Sequence, residues 1–173
     1  MKILLLIGLG ALASPAAAEV VSASSNGFEV RQTVPLVVKP EVAFQAFANL
    51  PAWWNPQHTY GGKSENLSFA LTPGGCFCER LPGGGGVEHM RVTYVDPGKR
   101  VVLEGALGPL LYEAVAGVMD VQIKPRVAGG STITLNYRAS GFAKGGADRL
   151  APLVDSVLGS QIDRLADVAR KSR

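Results

Sequence analysis

The sequence predicts an α+β domain: one curved antiparallel sheet of about six to seven strands, two short helices after strand 1 and a long C-terminal helix. Two observations support this class. A series of short β-rich segments is separated by turn residues, and the C-terminal residues repeat apolar side chains at helical spacing. A sheet and a helix that are each apolar on one face bury both faces by packing together, and curvature of the sheet leaves room for a cavity.

The N-terminus has the pattern of a secretory signal peptide. Lys2 gives a positive start, residues 3–13 are apolar or small, and residues 14–18 end in an A-x-A pattern. The apolar core is about half the roughly 20 residues that a membrane span needs. We therefore expect cleavage after Ala18, a single domain over residues 19–173, and a periplasmic or secreted protein without a stable membrane anchor.

The charge of the chain is mildly basic. The formal net charge is +3, and it becomes +2 once Lys2 is removed with the signal peptide. No run of lysine or arginine is present, so we predict no nucleic-acid partner. No pattern identifies a protein partner, and we expect no cofactor.

The first strand and the short helices follow the predicted signal peptide. Residues 28–38 alternate and are rich in β-branched side chains, which predicts a strand, and Pro35 indicates an edge position or a bend. Pro40 is favoured in the first turn of a helix, and Pro51 marks the end of that helix. Residues 51–64 then form an aromatic loop or a short second helix.

Turn residues separate the next strand-like segments. The predicted strands cover residues 66–72, 76–80, 87–95, 100–106, 117–125 and 131–140. This spacing predicts an antiparallel meander.

The C-terminal helix is predicted over residues 148–171, with Pro152 tolerated in its first turn. Its apolar stripe consists of Leu150, Leu153, Val154, Val157, Leu158, Ile162, Leu165 and Val168.

Several longer stretches, together with the order of the elements, resemble a known superfamily. They are VPLVVKPEVAFQAFANLPAWW (34–54), LTPGG (71–75), MRVTYVDPGKRVVLEG (90–105), GGSTITLNYRASG (129–141) and the final helix. Over nearly all of residues 19–173 the chain resembles the START-like or SRPBCC superfamily, which has the helix-grip fold. It is most similar to the branch of polyketide cyclases/dehydrases and chaperone-ATPase activators.

The resemblance implies a ligand cavity between the sheet and the C-terminal helix, and no shared catalytic residue. Positions near the implied mouth include His58, and Leu153 and Leu158 lie on the helix side. The predicted ligand-binding residues are Trp53, Trp54, Tyr60, Phe77, Met90 and Val157. We predict an exported protein that binds a small hydrophobic or aromatic molecule. A cyclase/dehydratase- or hydrolase-type enzyme is the alternative, and an envelope protein acting through a partner surface is a third.

The stretch GGCFCERLPGGGGVEH (74–89) is predicted to be a hairpin with the glycines at its tip. If Arg80 pairs with Val87, strand alternation turns four side chains toward the helix: Phe77, Glu79, Glu88 and Met90. In this register Glu79 and Glu88 face each other. These two carboxylates and His89, which follows Glu88 in the chain, are the candidate catalytic acids or bases. The simpler alternative is that both carboxylates lie exposed at the hairpin end, and it is favoured because charged side chains are seldom buried unless paired.

The same register places Cys76, Cys78 and His89 together on the outer face of the sheet. Thiolates with an imidazole suit zinc or copper, but Cys-x-Cys is not the usual zinc-binding spacing and no fourth ligand is evident. We therefore predict no metal site. A disulfide between the two cysteines would need a bent strand, because positions i and i+2 of a flat strand lie about 6.5–7 Å apart at Cα.

Overall fold

In a computed structural model, which describes residues 17–172, the chain forms one antiparallel sheet that packs against a long C-terminal helix. The strands are β1 (Ala17–Ser24), β2 (Gly27–Leu36), β3 (Leu67–Phe69), β4 (Cys76–Arg80), β5 (Gly86–Asp96), β6 (Arg100–Glu104), β7 (Ala114–Pro125) and β8 (Ser131–Phe142). The helices are α1 (Pro40–Ala48), α2 (Leu50–Trp53) and α3 (Ala151–Lys171).

The sheet has eight strands in the order β1-β2-β8-β7-β6-β5-β4-β3, so the predicted count of about six to seven was too low. The additional strand is β1, which pairs with β2 from Ala17↔Thr33 to Ser24↔Gly27. Its sequence, AAEVVSAS, holds two valines among small residues and is a weak strand signal. The predicted signal peptide lies outside the described residues, apart from Ala17 and Ala18 at the start of β1.

The strand order shows that the chain crosses from one side of the sheet to the other once, between β2 and β3. After β2 the chain passes through α1 and α2 to β3 at the far edge, and it then returns strand by strand until β8 pairs with β2. Pro35 pairs with Thr132 of β8 and lies two residues beyond Thr33, where the described pairing with β1 begins. β2 itself is flanked by β1 and β8, so Pro35 does not lie in an edge strand, which is one of the two positions that its sequence indicated.

The predicted helices are present. Helix α1 begins at Pro40 and buries Ala43, Ala46 and Phe47, and α2 follows almost at once. Helix α3 packs on β1, β2, α1 and α2. Among the described residues, no helix is both long and apolar enough to cross a bilayer.

The apolar stripe of α3 divides into two parts. Toward the C-terminus Leu158, Ile162 and Leu165 are fully buried in the core. Toward the N-terminus Leu153 is 63% exposed, and Val157 is half-buried. A cavity lies beside this first part of the stripe.

Candidate functional site

The cavity has a volume of about 370 Å³ and lies between the N-terminal half of α3 and two loops. One loop runs from Trp54 to Tyr60, and the other is a 3-10 turn at Gly108–Tyr112 between β6 and β7. Most of the wall is apolar. The lining residues are Trp54, Gln57, His58, Thr59, Tyr60, His89, Leu107, Gly108, Pro109, Leu110, Glu113, Leu150, Leu153, Val154, Val157 and Leu158.

A β-bulge in the β4–β5 hairpin turns His89 toward this cavity. Phe77 pairs with Met90 as predicted, but Cys78 pairs with Glu88, so His89 is an extra residue on β5. His89 and Met90 are consequently both buried, although they are neighbours in a strand. The predicted register was wrong beyond Phe77, because regular alternation assigns His89 to the outer face and Glu88 to the inner face, and the bulge exchanges them.

Glu79 is the buried carboxylate behind the cavity wall, with 1% of its surface exposed. Its oxygens accept hydrogen bonds from the backbone N–H groups of Tyr60 (3.0 Å) and Gly61 (2.5 Å), and from Nε2 of His89 at 3.1 Å. Glu88, in contrast, is exposed and forms an ion pair with Arg91. The favoured expectation that both carboxylates are exposed is therefore wrong for Glu79 and correct for Glu88, and the buried Glu79 pairs with His89 instead of Glu88.

The protonation of His89 follows from its surroundings. Burial lowers the pKa of His89 below its usual 6.5, while the hydrogen bond to Glu79 and the charge of that carboxylate act in the opposite direction. His89 is therefore a neutral imidazole at pH 7 that donates through Nε2 to Glu79. Its ring is stacked on Tyr60 at 5.8 Å and tilted against Phe77 at 4.8 Å between centroids.

Tyr60 connects the two loops across the cavity. Its hydroxyl donates to the carbonyl of Gly108 at 3.0 Å. Burial, followed by the hydrogen bond and charge of Tyr112 and the charge of Glu79, raises the pKa of Tyr60 to about 12. Tyr60 is therefore an uncharged phenol throughout the physiological range.

His58 is held by α3. Gln161, which is 1% exposed, accepts a hydrogen bond from the backbone N–H of Asn55 at 2.8 Å. Its amide nitrogen lies 2.7 Å from Nδ1 of His58. The indole N–H of Trp54 donates to the carbonyl of His58 at 2.9 Å, so both ends of this loop segment are fixed.

The second loop is fixed by Tyr137 of β8, a fully buried side chain. Its hydroxyl donates to the carbonyl of Gly105 at 3.1 Å and accepts from the N–H of Leu107 at 3.2 Å. Gly117 makes this possible, because a Cβ at that position would lie 2.6 Å from the Tyr137 hydroxyl. The wall from Leu107 to Leu110 therefore depends on a tyrosine on a neighbouring strand.

The predicted ligand-binding residues divide into two sets. Trp54, Tyr60 and Val157 line the cavity, together with the mouth position His58 and the helix positions Leu153 and Leu158. The other three predicted residues do not line it and belong to the core behind its wall: Trp53, Phe77 and Met90.

The outer face of the hairpin holds a disulfide between Cys76 and Cys78. Their Cα atoms are 5.3 Å apart, less than about 6.5 Å in an extended strand, so β4 is locally contracted. His89 points to the other side of the sheet, and the candidate metal set of Cys76, Cys78 and His89 is not brought together. The carboxylate of Glu88 lies near the two sulfurs instead.

Neither the role of Gln161 nor the 107–110 wall was predicted from the sequence. Gln161 lies at a buried position of a helix whose other inward residues are apolar, and this polar interruption of the stripe is a signal that could have identified it. The 107–110 segment, LGPL, consists of turn residues and leucines, so it carries no sequence signal for a site. Its position in the cavity wall is set by the tertiary fold.

Comparison with known proteins shows similarity in structure. The sequence matches no protein-family profile and is not significantly similar to any curated protein. An uncharacterized protein from Rhizobium leguminosarum matches with a TM-score of 0.57 at 15% identity, over 91% of this chain and 99% of its own. Protein MLL2253 from Mesorhizobium loti matches with a TM-score of 0.59 at 17% identity, over 84% and 98%.

A third similar structure is the di-domain ARO/CYC protein StfQ from the steffimycin biosynthetic pathway. Its TM-score is 0.57 at 11% identity, and the match covers 85% of this chain and 50% of StfQ. At such identities the likeness concerns the fold, while function must be argued from the site. The eight-stranded antiparallel sheet, the long C-terminal helix and these neighbours together identify a fold of the helix-grip type.

Proposed function

We propose that this protein binds a small hydrophobic or aromatic molecule in the cavity beside α3. The supporting observation is a cavity of about 370 Å³ with a mainly apolar wall and a few fixed polar groups. Small-molecule sites have this composition and volumes of about 300–1,000 Å³, so the space suits a ligand of one or a few rings. The similarity to an ARO/CYC domain agrees with a ligand-binding fold.

Filling the cavity tests the proposal. Val157→Trp places an indole in the space that the ligand would occupy, whereas Ser160→Trp adds the same indole on the exposed face of the same helix. Isothermal titration with naphthalene derivatives and fatty acids should give binding to the wild type and to Ser160→Trp, and none to Val157→Trp. Equal binding by both variants, or no binding by the wild type, would overturn the proposal.

We also propose that the protein acts in the periplasm or outside the cell, as its N-terminal sequence predicts. Intact-mass measurement of protein purified from the envelope or medium of the producing cell should give a chain that begins at Glu19. A chain that retains Met1 and remains in the cytoplasm would contradict export.

A second candidate function is a proton-transfer enzyme, and the buried Glu79–His89 pair favours it. A neutral imidazole that donates to a carboxylate can accept a proton at its other nitrogen, and the carboxylate then stabilises the imidazolium. Glu88, the third predicted candidate, is exposed and has no place in this arrangement. Under this candidate Glu79→Gln and His89→Asn remain folded and lose turnover of a cyclisable or hydrolysable aromatic substrate, whereas Glu88→Gln retains it. Retained turnover in His89→Asn would exclude it.

A further inference from the structure

The chain contains two histidines, and both line the cavity. Each imidazole has one ring nitrogen held by a buried polar side chain: Glu79 for His89 and Gln161 for His58. A buried partner fixes which ring nitrogen carries the proton, and so it fixes what the other nitrogen offers to a ligand.

His89 offers an acceptor. A carboxylate accepts hydrogen bonds, so Nε2 of His89 carries the proton that lies between it and Glu79, 3.1 Å away. Nδ1 has no hydrogen-bonding partner among residues 17–172. Since burial keeps the ring neutral at pH 7, Nδ1 presents a lone pair.

His58 offers a donor. The N–H of Asn55 donates to Oε1 of Gln161, and this contact settles the orientation of the amide. The amide NH₂ of Gln161 must then donate to Nδ1 of His58, 2.7 Å away. The proton of a neutral His58 therefore resides on Nε2, the nitrogen left for a ligand.

Three other polar side chains of the wall already form hydrogen bonds, whereas the side chain of Gln57 is exposed. The indole N–H of Trp54 donates to the carbonyl of His58, the Thr59 hydroxyl donates to the carbonyl of Pro56 at 2.7 Å, and the Tyr60 hydroxyl donates to Gly108. The two imidazoles thus contribute complementary hydrogen-bonding atoms to a mainly apolar wall.

We propose that the cavity selects aromatic molecules that carry both a hydroxyl and a carbonyl group, with His89 Nδ1 accepting from the hydroxyl and His58 Nε2–H donating to the carbonyl. This inference rests on the proposed binding function and names the chemical class of its ligand.

Matched pairs of probes test each hydrogen bond separately. We would measure dissociation constants of 2-naphthol against 2-methoxynaphthalene, which lacks the donor, and of 2-acetylnaphthalene against 2-isopropylnaphthalene, which lacks the acceptor. One hydrogen bond is expected to favour the first member of each pair about two- to tenfold.

Two variants serve as controls for each other. His89→Phe should abolish the preference for 2-naphthol and leave the preference for 2-acetylnaphthalene, and His58→Phe should do the reverse. Thermal melting confirms that each variant is folded. Acidification of the wild type should reduce the preference for 2-naphthol, because a protonated His89 has no acceptor nitrogen, and this measurement needs no substitution.

Nitrogen-15 NMR of the two histidines provides a test without ligand. In the neutral form of each ring Nε2 should carry the proton and Nδ1 should not, and a proton on Nδ1 of either neutral ring would overturn the proposal. Binding of all four probes with equal affinity within each pair would overturn the selectivity and leave the binding function standing. Failure of every probe to bind would overturn both.

Discussion

At the scale of single residues, Glu79 connects three parts of the site. Its buried carboxylate fixes the backbone of Tyr60 and Gly61 in one loop and orients the ring of His89 in β5. A carboxylate with several hydrogen-bond donors is stable when buried, because the donors replace the water that it loses. Gly61 allows the close approach, since a Cβ there would lie 3.1 Å from Oε1 of Glu79.

Glu79→Ala should therefore destabilise the fold, by about 3 kcal/mol, because two backbone N–H groups and one buried imidazole lose their partner. Glu88→Ala is the matched control on the exposed side of the same hairpin, and we expect a change below about 0.5 kcal/mol. Urea unfolding of both variants measures the difference. Equal losses of stability in both variants would show that the hydrogen bonds to Glu79 do not stabilise the fold.

Stability should also depend on pH through His89. The pKa of His89 is lower in the folded protein than its usual 6.5, so the unfolded chain takes up the proton first as the pH falls. The stability that the protein gains while His89 is neutral should therefore be complete above pH 6.5, and the free energy of unfolding should decrease as the pH drops below that value. His89→Gln should show a smaller decrease between about pH 7.5 and 5.5 in chemical denaturation. An identical decrease in wild type and variant would refute this assignment.

Strand alternation correctly turned Glu79 and Phe77 inward, because the side-chain period of β4 is regular there. It failed at His89, because a bulge adds one residue without a clear mark in the sequence. The pairing of His89 with Glu79, which changes the chemistry of the site, could therefore not be predicted, because it depends on this one β-bulge.

At the scale of elements, the hairpin carries its disulfide beside this bulge. The bond closes a loop with one intervening residue, and so it removes little conformational freedom from the unfolded chain. It contributes more to the local shape of β4 than to the stability of the sheet.

The double variant Cys76→Ser/Cys78→Ser should accordingly lose no more than about 1.5 kcal/mol of stability. Denaturation of the wild type with and without a reducing agent measures the same quantity, and the double variant with reducing agent is the control. A loss of several kcal/mol would mean that the bond stabilises more of the sheet than its own segment of β4.

Helix α3 offers a matched comparison between core and cavity. Leu165 is fully buried, whereas Leu153 is 63% exposed at the cavity. Leu165→Ala should cost about 2–5 kcal/mol, and Leu153→Ala less than about 1 kcal/mol, because the second change removes little buried surface and creates no enclosed void. Thermal or urea unfolding distinguishes them, and comparable costs would show that Leu153 is packed.

Periodicity and turn residues were sufficient to predict α1, α3 and most strands, since each of these elements buries one regular face. They missed β1, whose small residues lack such a pattern and whose first two positions were assigned to the signal peptide. They gave the α3 stripe as one continuous apolar face, because a helical period does not distinguish a core-facing residue from one that lines a cavity. The superfamily resemblance, and not periodicity, placed Leu153, Val157 and Leu158 beside the cavity.

At the scale of the whole molecule, the cavity is assembled from segments far apart in the chain. The Trp54–Tyr60 loop, the 107–110 wall and the start of α3 meet because β2 and β8 are neighbours and the chain returns across the sheet between them. The overall class followed from the order of elements. The shape of the cavity could not be predicted in this way, since it depends on how two loops and a helix approach one another.

Both tryptophans of the chain are adjacent in the segment that closes this cavity. Trp54 is part of the wall, and Trp53 packs against it at 5.6 Å between ring centroids. Intrinsic fluorescence of the unmodified protein therefore arises beside the cavity, and an occupant that changes the surroundings of Trp54 should change the emission directly. Emission of the purified protein, measured after addition of protein-free fractions of an extract, would report the proposed ligand without a label or an assay for turnover.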